Sequence, residues 1–128
     1  MTVVVDASAF LAILLREPEG ELFQARILES TAVWMSPVNY WESMVRARAL
    51  FGNAGVADAE ALFEALGIRL AAVGEAQARE AVAVAGRFGG GTPARLNLGD
   101  CFAYALAKAV GAPLLYKGDD FARTDLGE

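Results

Sequence analysis

The sequence predicts an α/β fold, with a central parallel sheet flanked by helices on both faces. Three observations predict it. Short apolar runs rich in Val, Leu and Ile alternate with helical stretches along the chain, and strands joined through helices lie parallel. Carboxylates follow two of those runs, at Asp6 and at Asp119-Asp120, where sheets of this kind bind ligands. A hydrophobic fraction of 55% is enough for a well-packed core. At 128 residues, with no internal repeat and no long linker, residues 1–128 are expected to form a single domain.

The elements follow in order. Residues 2–5 read as a buried strand built on Val3-Val4-Val5. Asp6 or Ser8 can then cap a helix over roughly 8–15. Arg16 to Gly20 is a turn, because Pro18 and Gly20 both interrupt helix. A helix at about 20–30 is acidic in its first turn, and Ala32 to Met35 is a short strand. Ser36-Pro37 opens the next helix, an N-cap followed by proline at the first helical position. It should run to Phe51 and stop at Gly52-Asn53.

A further helix is expected at about 56–66, ending at Gly67, then a third strand over Ile68 to Val73 and a helix over 75–88. Gly89-Gly90-Gly91-Thr92-Pro93 is a loop. Asn97-Leu98-Gly99-Asp100 has the form of a capping box with Asp in place of Glu, starting a helix that reaches about Val110. Pro113 to Tyr116 is the last strand, and Gly118 to Phe121 turns into a short helix.

Composition removes several classes of chemistry. Histidine is absent and Cys101 is the single cysteine. That excludes Ser-His-Asp and Cys-His catalysis, a disulfide framework and a multi-cysteine zinc site. Cys101 itself reads as a small buried helix residue. A metal here would be held by oxygen, which favours Mg²⁺ or Mn²⁺ over zinc. No apolar run reaches the ~18 residues of a membrane span. No basic segment precedes the first apolar stretch, so a cytoplasmic protein without a secretory leader is expected.

The net charge of −5 argues against gripping nucleic acid through bulk electrostatics. Its distribution is uneven. Residues 87–118 carry Arg87, Arg95, Lys108 and Lys117 against Asp100 alone, a locally positive stretch that could steer a phosphate backbone. A solvated surface is the plainer account of the same four cations.

Each acid has a structural and a functional reading. Asp6 is a helix N-cap or a ligand, and Ser8 could share either task. Glu42 sits at the edge of an apolar helical stripe holding Val38, Trp41, Val45 and Ala49; it pairs with Arg46 one turn on or serves a site. Asp100 is well placed as a capping-box residue. Asp119-Asp120 suits a turn, yet adjacent acids at a strand end repel each other. If Asp6, Glu42, Asp100 and this pair meet, a divalent cation would offset their repulsion. Arg16, Glu17, Glu19 and Glu21 read as solvated surface.

Taken together, these motifs resemble a known family. Val5-Asp6-Ala7-Ser8 resembles the opening of PIN domains, as does the helical Glu about thirty-five residues later in Asn39-Tyr40-Trp41-Glu42. Leu98-Gly99-Asp100-Cys101-Phe102-Ala103-Tyr104-Ala105 is similar to the third PIN motif of VapC toxins. Leu114 to Phe121 is similar to the fourth, and Thr124-Asp125-Leu126 is usual in one VapC subgroup. The resemblance runs from about residue 2 to residue 126.

It implies a three-layer α/β/α PIN-like fold and a Mg²⁺- or Mn²⁺-dependent endoribonuclease, the toxin of a type II toxin–antitoxin system silenced by a VapB-type antitoxin. A homodimer and a transfer or ribosomal RNA substrate are also implied. Asp6, Glu42 and Asp100 carry over as the core acids of the metal site. Asp120 is the favoured fourth acid and Asp119 the alternative. Little chain follows the fourth motif, so the longer terminal strand of some relatives is not expected. Ser8 would hold a carboxylate or touch phosphate, and Arg87, Arg95, Lys117 and Arg123 are candidates for the RNA path. Two other readings compete: a haloacid-dehalogenase-type phosphatase, whose second early Asp is replaced here by Ser8, and a catalytically silent interaction module.

Overall fold

The computed structural model describes residues 1–126. Four strands, β1 (Thr2–Val5), β2 (Ala32–Met35), β3 (Arg69–Leu70) and β4 (Leu114–Leu115), form one parallel sheet in the order β3-β2-β1-β4. The helices are α1 (Ala7–Leu14), α2 (Gly20–Leu28), α3 (Pro37–Ala65), α4 (Glu75–Phe88) and α5 (Leu98–Val110), followed by a 3-10 turn at Phe121–Arg123. Among the described residues, no helix is long and apolar enough to cross a membrane.

Strand alternation divides the core into two layers. Val3 and Val5 of β1, with Val33, Met35 and Leu115, pack against Phe10, Ile13, Ile27, Met44 and Ala47. Val4 and Leu114 face the other way, toward Val84, Ala103, Tyr104, Leu106 and Phe121. The sheet thus has α1, α2 and α3 on one face and α4 and α5 on the other, as the sequence predicts.

One expectation is corrected in detail. The third and fourth strands are shorter than Ile68–Val73 and Pro113–Tyr116. Each pairs over two residues, because an edge strand has a neighbour along one side only and the chain leaves the ladder early. The helix break expected at Gly52 is present: α3 is two helical stretches joined across a kink there, where Gly52 has a non-helical φ of 71°. Only glycine takes that conformation without strain.

β1 is flanked by β2 on one side and β4 on the other, so the chain order reverses between β1 and β4. Crevices at such reversals, outside the carboxyl ends of the strands, receive ligands in open α/β sheets. Asp6 follows β1 and Lys117 to Asp120 follow β4, on opposite lips of this crevice. The Asp6 N–H donates to the Leu115 carbonyl at 3.0 Å and ties the lips together.

Candidate active site

Three helices begin at this end of the sheet and deliver the acids. Asp6 is the N-cap of α1 and is 4% exposed. Its Oδ2 accepts from Ser8 N at 3.0 Å and from Ser8 Oγ at 2.6 Å. The Ser8 hydroxyl in turn accepts from Lys117 N at 2.9 Å, binding the first acid to the segment after β4. The cap reading of Asp6 therefore holds, and its carboxylate lies at the crevice that follows β1.

Asp100 occupies the third position of α5 and closes the expected capping box. Asp100 N donates to Asn97 Oδ1 at 2.8 Å, and Asn97 N donates to Asp100 Oδ2 at 3.0 Å. Glu42, near the start of α3, takes neither a solvent position nor Arg46 as partner. Asn39 Nδ2 donates to its Oε1 at 2.9 Å, and the same amide donates to Gly99 O at 3.0 Å. Both partners are acceptors, which fixes the amide orientation. Asn39 is fully buried, and its Oδ1 has no partner.

Gly99 is the contact point between α3 and α5. A Cβ there would stand 2.1 Å from both carboxylate oxygens of Glu42. Trp41, placed by sequence on the apolar stripe, is instead 64% exposed, so the buried side of α3 runs through Asn39, Ser43, Met44 and Ala47.

The acids feel one another. Burial pushes the Asp100 carboxyl up to about 7; the Asn97 N–H opposes the rise, and the charges of Asp6, Asp120 and Glu42 add to it. Burial likewise raises Asp6; bonds from Ser8 and Ala7 oppose this, and Asp120 adds to it. Glu42 is raised by burial and by Asp6, and lowered by Asn39. Asp120 thus presses on both Asp6 and Asp100, whereas Asp119 does not. Both lie exposed on the wall of a neighbouring cavity.

As the side chains stand, no group of three or more His, Cys, Asp or Glu among the described residues is close enough to hold a metal ion. Asp6, Glu42 and Asp100 each have one oxygen accepting from a neutral donor, which leaves the other available. The donor set nonetheless fits a hard divalent cation, since it is all oxygen and its mutual repulsion calls for positive charge.

The cations divide. Lys117 pairs with Glu17 at 3.1 Å and Glu19 at 3.7 Å. Those two acids read as free surface in the sequence, and their partner lies far down the chain. Arg87 lies over the Phe88 ring, 4.7 Å from its centroid. Arg95 and Arg123 line the cavity beside Asp120. The sequence motif assigns Asn39 no role of its own; its position three residues before Glu42 on the same helical face is the signal that the two side chains meet.

Residues 3–126 match the PIN domain model, and the chain is a PIN domain protein. Ribonuclease VapC of Mycolicibacterium smegmatis is 39% identical over 124 residues, covering 96% of each chain. Ribonuclease VapC30 of Mycobacterium tuberculosis is 40% identical over 124 residues, covering 96% of this chain and 95% of that one. Among solved structures, Mycobacterium tuberculosis VapC20, described as a Sarcin-Ricin loop cleaving toxin, shares the fold with a TM-score of 0.76 at 15% identity. That match covers 94% of this chain and 92% of the other. A toxin–antitoxin complex from Klebsiella pneumoniae gives a TM-score of 0.68 at 18% identity, covering 97% and 93%. Within the PIN class, the chain belongs to the VapC ribonuclease toxins of toxin–antitoxin systems. The phosphatase alternative falls with that membership.

Proposed function

We propose that this chain is a Mg²⁺- or Mn²⁺-dependent endoribonuclease, acting in the cytoplasm as a type II toxin restrained by a VapB-type antitoxin. The observation that carries the proposal is the crowding at Asp100, which is buried under the charges of Asp6, Glu42 and Asp120. Desolvated carboxylates that raise one another are costly to a fold and recur where a site needs them.

Asp6, Asp100, Glu42 and Asp120 would hold the cation. When bound, the cation supplies charge that polarises a phosphoryl oxygen and acidifies water. The chain's own groups do the rest. Ser8 orients Asp6, the Asn97 N–H orients Asp100, and Asn39 orients Glu42. Asp120, exposed at the mouth, would complete this set of acids from the solvent side. Asp119 plays a lesser part in this reading, as a wall of the substrate channel. The substrate is RNA, with transfer and ribosomal RNA as the first to test, and the working unit is a homodimer.

The test is cleavage of total RNA by the purified chain. EDTA should stop it, Mg²⁺ or Mn²⁺ should restore it, and Asp6→Asn or Asp100→Asn should abolish it in a folded protein. Undiminished cleavage in EDTA, or full activity in either variant, would overturn the metal-site assignment. A folded chain that cleaves no RNA with either metal would leave the silent interaction module as the better reading.

A further inference from the structure

Beside the acids lies a cavity of about 590 Å³, lined from the glycine-rich loop by Gly91, Thr92 and Arg95 and from the segment after β4 by Asp119, Asp120 and Arg123. That is within the range of pockets that enclose a small ligand. It shares Asp120 with the acid cluster, so whatever fills it lies next to the reacting position.

Both arginines are presented from anchored backbone. Arg95 has φ of 55°, a left-handed conformation that is uncommon outside glycine and is strained. Its neighbours hold it there: Ala94 and Leu96 are each 3% exposed, and Leu96 N donates to Phe88 O at 2.8 Å. On the near side, Thr92 Oγ1 donates to Gly89 O at 2.7 Å and closes the glycine-rich turn. The core thus grips the chain on both sides of Arg95 while its side chain lies exposed. Arg123, which lines the same cavity, ends a 3-10 turn pinned by Phe121, which is 2% exposed, and by Thr124 Oγ1 donating to Phe121 O at 2.7 Å.

Neither arginine forms an ion pair among the described residues, although Asp119 and Asp120 line the same cavity. Two guanidinium groups lining one concavity match an anion with several oxygens, and a phosphodiester is that anion in RNA. The concave shape admits a phosphate from an unpaired strand more readily than one held in a duplex.

We propose that this cavity is a subsite for the nucleotide next to the scissile bond in an unpaired stretch of RNA, its backbone phosphate held between Arg95 and Arg123. The assignment rests on the ribonuclease reading above and extends it to substrate positioning. Contacts to phosphate set register without reading sequence, so the subsite contributes affinity and alignment, not target choice.

The test uses the full chain in an Asp100→Asn background, with a fluorescein-labelled single-stranded oligouridine as probe and anisotropy as readout. Arg95→Gln and Arg123→Gln should each weaken binding by about tenfold and reduce the slope of log K against log salt by about one. Arg95→Lys and Arg123→Lys should recover part of the affinity. In chains that retain Asp100, the same Gln variants should raise KM for RNA with kcat little changed. Thermal melts and Mn²⁺-induced stabilisation should match the parent, showing that the fold and the acid cluster are intact.

Unchanged affinity and salt slope in both Gln variants would overturn the subsite, as would variants that lose an antitoxin but not RNA. Arginine-dependent RNA binding in a chain that cleaves nothing would uphold the subsite and sink the nuclease reading. The two failures are therefore distinguishable.

Discussion

Asn39 holds Glu42 in place with one arm of its amide and holds Gly99, sixty residues away, with the other. One buried side chain therefore fixes both a candidate ligand and the approach of α5 to α3. Asn39→Ala should leave a partly buried carboxylate without its side-chain donor, remove the second donor of the Gly99 carbonyl, and cost about 1–3 kcal/mol. Urea denaturation should show the midpoint falling with the m-value unchanged. Asn39→Asp should be worse than Ala, since it sets a second acid against Glu42.

Gly99→Ala tests the same contact from the other side. The added Cβ would overlap both Glu42 oxygens, so the carboxylate has to swing away. Cleavage should fall by at least about tenfold with a stability loss of about 1–3 kcal/mol. Adding Glu42→Ala should restore most of the stability and none of the activity. Paired melts and cleavage assays on the single and double variants separate the two effects.

Without metal, the pH dependence of stability should be inverted relative to an ordinary paired carboxylate. Asp100 has a native pKa near 7, above its ordinary 3.8, with burial the main cause. Between those values the folded chain binds more protons than the unfolded one, so stability falls as pH rises. The full benefit is present below about pH 4 and is lost as pH passes 7, with Asp6 and Glu42 pulling in the same direction. Melting temperature in EDTA should decline across that window. Asp100→Asn should flatten the decline, and Mn²⁺ should reverse it above pH 7.

The segment carrying Asp120 is anchored beyond the site as well. Tyr104, 1% exposed, donates its hydroxyl to Asp125, which also meets Lys108 Nζ at 2.6 Å. Asp125→Asn should keep the shape and lose most of the charge, costing about 1 kcal/mol. Its effect on cleavage should be larger than its effect on the melt, because Asp120 is suspended between this clasp and β4. Equal and small effects on both would show that the fourth acid needs no such support.

Legibility followed the range of the interactions. The α1 cap at Asp6, the α3 start at Ser36-Pro37 and the α5 capping box are local, and all three appear in the structure. The choice between Asp119 and Asp120 was not local. The two share a turn, and they differ in that Asp120 is the one whose charge reaches Asp6 and Asp100. The pairing of Glu17 and Glu19 with Lys117 was not local either, since the partners lie about a hundred residues apart. The exposed Trp41 shows a periodic apolar position that the tertiary packing leaves outside.

The bond from Lys117 N to Ser8 Oγ spans 109 residues, and β1 has β4 as one of its two neighbours. During synthesis the chain emerges Asp6 first, then Glu42, then Asp100, and the fourth motif last. Until Leu114 to Asp120 have left the ribosome, β1 lacks that neighbour and Ser8 has nothing to receive. A nascent chain therefore lacks the completed crevice. Long-range parallel pairing is also slow to form, so the acids come together only some time after the last of them has been made.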